Sequence, residues 1–109
     1  MNWKPLTEES QLSELLQESF EKPVVIFKHS TRCPISSMAK TRLETATPPA
    51  DIPFYLLDLI SYRSLSNAVA STFKVHHESP QVIVLRNGEA TYEESHNGIR
   101  MDDVAEAVA

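Results

Sequence analysis

Cys33 is the only cysteine in this chain of 109 residues, and it stands directly before Pro34. It is the side chain whose type and setting point to covalent chemistry. The thiolate is the nucleophile in thiol chemistry, and a cysteine at a helix N-terminus has its pKa lowered by the free N–H groups and partial positive charge there. Pro34 marks such a terminus, because proline tolerates the first helical turn, where its missing N–H would have had no partner. Arg32, with Lys28 and Lys40 near in sequence, would add positive potential if these side chains point toward the sulfur. Ser36 is spaced to offer its backbone N–H or its hydroxyl to the thiolate. The plain alternative is an inert buried cysteine, which behaves as a small hydrophobe. Its place after a strand and a polar loop, at the mouth of a proline-opened helix, favours the reactive assignment.

The other polar candidates carry weaker signals. His29, His76 and His77 could approach Cys33, the latter two through the loop before Pro80. Their spacing matches no standard zinc pattern, so no metal site is expected, and one histidine tuning the thiolate is the better use of the set. Trp3, Tyr55, Tyr62 and Tyr92 read as packing residues. Nothing resembles a phosphate loop, a serine-hydrolase elbow or a paired-carboxylate site.

The elements that must position Cys33 follow from periodicity and turn chemistry. Thr7, Glu8 and Glu9 read as a helix start, with Leu12, Leu15, Leu16 and Phe20 as its apolar face. Pro23 to Phe27 is a continuous apolar run suited to a central strand covered on both faces. His29 to Arg32 is a polar loop, and the helix after it carries Ile35, Met38, Ala39 and Leu43. Phe54 to Leu59 is a second strand, and Ser61 is the expected cap of a helix presenting Leu65, Ala68, Val69 and Phe73. Gln81 to Arg86, Asn87-Gly88 and Glu89 to Glu94 form a β-hairpin, since Asn-Gly accepts the positive φ angles of a type I′ turn. A second Asn-Gly at 97–98 precedes a short helix with Met101, Val104, Ala105 and Val108. The first two strands should be parallel through a right-handed crossover and the last two antiparallel. The expected fold is α/β: a four-stranded mixed sheet with helices on both faces, in one domain spanning residues 1–109.

Composition weighs against whole classes of partner. A net charge of −5 and a pI near 5.3 disfavour nucleic acid and acidic membranes, which are held by clustered Lys and Arg. Met1 to Ser10 lacks the basic and apolar regions of a signal peptide, and no stretch approaches the ~18 apolar residues of a membrane span. A lone cysteine makes no intramolecular disulfide, so a reducing cytoplasm is the expected compartment.

A strand, a loop and Cys-Pro-x-x opening a helix, with Ser79-Pro80 before a later strand and hairpin, resembles the thioredoxin fold over essentially the whole chain. That resemblance implies a cis peptide at Pro80, set against Cys33. Two departures define the subclass. Thioredoxins have a second cysteine where Ser36 stands, and a buried acid where Phe27 stands, so a dithiol reductase cycle within this chain is excluded. The string Thr31-Arg32-Cys33-Pro34-Ile35-Ser36 more specifically resembles the monothiol bacilliredoxins, the YtxJ-like family, whose signature is Cys-Pro-Ile-Ser.

The resemblance implies thiol-disulfide exchange that removes bacillithiol from S-bacillithiolated client proteins. Bacillithiol is then the exchanging co-substrate, no cofactor is bound, and a separate reductase recycles bacillithiol disulfide. Cys33, Pro34, Ser36 and Pro80 are the candidate catalytic residues, and Arg32, Ser79 and His77 the candidate substrate-binding ones. The Arg32 fork suits the carboxylates of the bacillithiol malate group, or is simply a solvated loop arginine. Two rival functions share the features of the site: a monothiol glutaredoxin-like protein holding an iron–sulfur cluster between two chains, and a thioredoxin-fold adaptor without turnover. Pro34-Ile35 departs from the Cys-Gly-Phe-Ser favoured by the first.

Overall fold

The computed structural model describes residues 1–109. In chain order the elements are β1 (Trp3–Pro5), α1 (Gln11–Ser19), β2 (Val24–His29), α2 (Pro34–Thr45), β3 (Phe54–Asp58), α3 (Arg63–Phe73), β4 (Gln81–Arg86), β5 (Glu89–Ser95), a 3-10 turn (His96–Gly98) and α4 (Met101–Val108). The strands form one sheet in the order β1-β3-β2-β4-β5. β2 is its centre, parallel to β3 and antiparallel to β4, and every β2 residue is buried. The continuous apolar run therefore has the physical cause expected for a strand covered on both faces.

Side chains alternate across a strand, so β2 feeds two cores. Val24 and Ile26 join Leu12 and Leu15 of α1 and Leu65, Val69 and Phe73 of α3 on one face. Val25 and Phe27 join Ala39 and Leu43 of α2 and Met101, Val104 and Val108 of α4 on the other. The hairpin turn is as expected: Asn87 and Gly88 have φ of 53° and 79°, the two positive values that a type I′ turn requires.

Five sequence expectations are corrected. The sheet has a fifth strand, β1, pairing parallel with β3 from Trp3 opposite Phe54 to Pro5 opposite Leu56. It is too short to show alternation, and Pro5 is tolerated because the strand lies at the sheet edge. Thr7 does not cap α1, which begins at Gln11; instead the Gln11 side-chain oxygen accepts the backbone N–H groups of Thr7 and Glu8. Ser61 does not cap α3, which begins at Arg63. The Ser61 hydroxyl donates to the Asp58 carboxylate, which also accepts the Ile60 N–H, so Asp58 organises that turn. Phe20 lies past the end of α1, exposed, against the hairpin turn. On α2, Ala39 and Leu43 are buried with Ser36, whereas Ile35 and Met38 face solvent.

Candidate active site

Cys33 is the residue immediately before α2, in extended conformation, with Pro34 at the first helical position. Its carbonyl accepts the Ser37 N–H at 3.0 Å, so the helix begins here, and its own N–H donates to the Ser30 carbonyl at 3.2 Å, closing the loop from β2. The side chain makes no capping hydrogen bond. What the sulfur receives from α2 is therefore the field of the helix end. Cys33 is a free, half-buried cysteine, and the neighbouring Thr31, Arg32, Pro34 and Ile35 are exposed.

The peptide bond between Ser79 and Pro80 is cis. Gln81 of β4 lies opposite Lys28 of β2, which brings Pro80 to the level of His29, where β2 ends and the Cys33 loop begins. Cys33 and Ser79-Pro80 thus share the end of the sheet at which the parallel strands terminate, the usual location of sites in open α/β sheets. Pro80 is buried and Ser79 half-buried. The Ser79 hydroxyl has no partner, and neither its N–H nor its carbonyl is used in the backbone hydrogen bonds of the chain.

Ser36 lies elsewhere than its spacing suggested. It is fully buried; its hydroxyl oxygen accepts the Ser30 N–H at 2.9 Å and lies 2.7 Å from Nδ1 of His29. The Ser36 hydroxyl, with one proton and two lone pairs, serves the Ser30 N–H and the His29 ring at once, donating to Nδ1 in one ring tautomer and accepting from it in the other. Burial first, and the positive charge of Lys40 second, hold the His29 pKa below its ordinary 6.5, consistent with a neutral ring. Ser36 therefore pins the loop between β2 and α2 from beneath. His29 stacks on Phe27, and Phe27 on Trp3, with centroids 5.9 and 5.7 Å apart.

Neither lysine serves Cys33 in the way the sequence suggested. Lys40 pairs with Glu44 at 2.7 Å. Lys28 points to the opposite face of the sheet, fully buried, where Nζ donates to the Ser66 carbonyl of α3 and to Nδ1 of His77, each at 3.2 Å. The histidines do not converge either: His29 is on the α2 side, His77 is tied to Lys28 on the α3 side, and His76 is exposed beside Glu78 at 3.4 Å. Sequence reasoning missed Gln81, fully buried opposite Lys28, and it missed the burial of Lys28 itself. The available signal was a lysine interrupting an apolar run at the position that alternation assigns to the same face as Val24 and Ile26.

Phe27 is fully buried where a thioredoxin would carry its acid. A single sulfur at the end of the sheet that also carries a cis-proline, with no second thiol, can attack a disulfide and hold one half of it, but it cannot release itself by internal closure.

Known proteins share this fold. A solved structure described as a candidate oxidoreductase with a thioredoxin fold is 32% identical, with a TM-score of 0.82 over 94% of this chain and 90% of that one. Thioredoxins from Malassezia sympodialis (18% identity, TM-score 0.74, 98% and 88% covered) and Fasciola hepatica (15%, 0.75, 97% and 99%) share the fold. The family profile described as monothiol bacilliredoxin BrxC matches residues 4–104. With the fold, the lone Cys33 and a match over nearly all its length, the chain is a thioredoxin-fold redox thiol protein and belongs to the monothiol bacilliredoxin family.

Proposed function

We propose that this protein, acting as one thioredoxin-like domain in the cytoplasm, removes bacillithiol from S-bacillithiolated proteins through a mixed disulfide on Cys33. The observation that carries this reading is a lone half-buried cysteine at the start of α2, at the same end of the sheet as a cis-proline, in a chain of the bacilliredoxin family. The Cys33 thiolate attacks the bacillithiol sulfur of the client's mixed disulfide. That S–S bond breaks, the client sulfur leaves as a thiolate and takes a proton, and a Cys33–bacillithiol disulfide forms. A second bacillithiol thiolate then attacks the bound bacillithiol sulfur, which frees Cys33 and yields bacillithiol disulfide for a separate reductase.

Each neighbour has a part in this scheme. Pro34 presets the first turn of α2, so the helix end faces the reaction. Ser36 acts through the loop it pins, and because it is not a thiol the adduct persists until a small thiol arrives. The unpaired backbone of Ser79, held by cis-Pro80, is available to an extended client segment, and the exposed Arg32 to the malate carboxylates. His77 keeps only Nε2 for substrate, since Nδ1 is engaged by Lys28.

The test is intact-protein mass spectrometry of the reduced protein and of Cys33→Ser, each mixed with a bacillithiolated and, separately, a glutathionylated carrier protein. Uptake of bacillithiol by the native protein alone, in preference to glutathione, is the expected result. Absence of any adduct refutes the reading and leaves the cluster-binding and adaptor functions. In Ser36→Cys the adduct should be lost to an internal disulfide; persistent adducts in that variant would refute the role given to Ser36.

A further inference from the structure

The segment that delivers the cis-proline has few supports of its own. The Val75 N–H donates back to Ala70 at the end of α3, and the Pro80 carbonyl accepts the His96 N–H; between them, residues 76–79 make no backbone–backbone hydrogen bond. Apart from the half-buried Glu78 carboxylate, 4.0 Å from Nε2 of His96, what holds this stretch is a pair of buried polar side chains on neighbouring strands. Lys28 and Gln81 lie opposite each other in the β2–β4 ladder, on one face of the sheet, both fully buried. Lys28 donates to Nδ1 of His77 and to the Ser66 carbonyl, while the Gln81 amide nitrogen donates to the His76 carbonyl at 3.0 Å and to Glu93 at 3.2 Å.

The arrangement is expensive for the fold. No carboxylate accompanies the Lys28 ammonium, and burial alone brings it down to about 8 from 10.5. The Gln81 side-chain oxygen is buried with no partner at all. Apolar residues of similar size would extend the core of Ile26 and Ile83 directly beneath, and exchanging buried polar groups for well-packed apolar ones is often neutral or stabilising. Stability alone therefore gives no reason for a lysine here, whereas its contacts to α3 and His77 do.

We propose that Lys28 is a positioning residue: together with the buried Gln81 and the exposed His77 it forms a fastening that holds the loop of residues 76–79, and so sets Ser79-Pro80 at the Cys33 end of the sheet for disulfide exchange. The exchange part rests on the function proposed above; the fastening does not. The thiol itself is untouched by this arrangement, because Lys28 lies on the face of the sheet away from α2. Loss of the fastening should slow attack on a protein disulfide, which must be seated, while alkylation by a small reagent, which needs no seat, should continue unchanged.

Three variants test it: Lys28→Met, His77→Leu and His77→Asn, the last of which keeps an acceptor near the position of Nδ1. The measurements are thermal midpoint, Cys33 alkylation by iodoacetamide, exchange with the bacillithiolated carrier protein, and ¹⁵N order parameters of residues 76–79. Lys28→Met should keep or raise the midpoint and alkylate at the native rate. In it the loop order parameters should fall from about 0.85 to below about 0.6, and exchange should slow about tenfold or more. In His77→Leu the loop order parameters should fall alike, and His77→Asn should restore most of that order, so that at this position loop order alone is the readout. Unchanged loop order in Lys28→Met overturns the fastening whatever Cys33 does. A loosened loop with native exchange rates, or exchange falling only in step with thermal stability, overturns the positioning role. A native protein that takes up no bacillithiol refutes the proposed function instead, and the loop order parameters still decide the fastening.

Discussion

Replacing Ser36 by Ala separates a residue that pins the active-site loop from one that merely fills space. The hydroxyl is fully buried and makes two hydrogen bonds, accepting the Ser30 N–H and pairing with Nδ1 of His29. Each such bond contributes about 1 kcal/mol net. Alanine returns about 0.4 kcal/mol through its higher helix propensity, since the position lies in the first turn of α2. The expected loss is about 2 kcal/mol, which for a domain of this size lowers the melting temperature by about 8 °C. Urea unfolding followed by Trp3 fluorescence is the natural assay, because Trp3 stacks on Phe27 and Phe27 on His29. A double-mutant cycle with His29→Phe should return a coupling of about 1 kcal/mol or more. A Ser36→Ala protein within about 0.5 kcal/mol of the native one, as for an ordinary surface change, with no coupling to His29, would refute the reasoning.

Other expectations come from the same physics. Gly88 has φ of +79°, and a Cβ there would lie 3.0 Å from the Phe20 ring, so Gly88→Ala should cost about 1–2 kcal/mol in the same unfolding assay; Phe20→Ala alongside it should recover only the contact part. His29 and His77 both have folded pKa values below 6.5, with burial as the first cause in each. The unfolded chain takes up those protons first, so their contribution to stability is complete above pH 6.5 and declines as pH falls through it; midpoints measured from pH 8 to 5 should show the decline, less steeply in His29→Phe. Lys28 reverses the range. Between about 8 and 10.5 the folded chain has shed a proton that the unfolded chain still holds, so stability should rise with pH there. Lys28→Met should remove the alkaline slope; an equal slope in both proteins would show that Lys28 is not the titrating group.

The parts of this protein legible in its sequence are those set by neighbours along the chain. The β2 run, the type I′ turn at Asn87-Gly88, the proline-opened helix at Cys33 and the apolar faces of α3 and α4 each rest on local sterics or on a period of two or 3.6. The place of Cys33 before α2 follows from these, and the motif around it sufficed to indicate the family. Helix starts were less legible. The polar groups that organise the turns before α1 and α3 are Gln11 and Asp58, whereas Thr7 and Ser61 had the preferred cap chemistry. β1 escaped notice because three residues carry no period, and the strand exists only through its pairing with β3.

What only the tertiary structure decided is where the polar side chains near Cys33 point. Sequence distance put Ser36, Lys28 and Lys40 around the sulfur. In the fold Ser36 turns inward to His29, Lys40 pairs with Glu44, and strand alternation sends Lys28 through the sheet to α3 and His77. Gln81 acquires its place beside Lys28 from the antiparallel register of β2 and β4, a relation between residues more than fifty positions apart. Local sterics decide which residues form a strand. Which buried groups meet across it depends on register and on the faces of elements distant in the chain, and no local pattern records that.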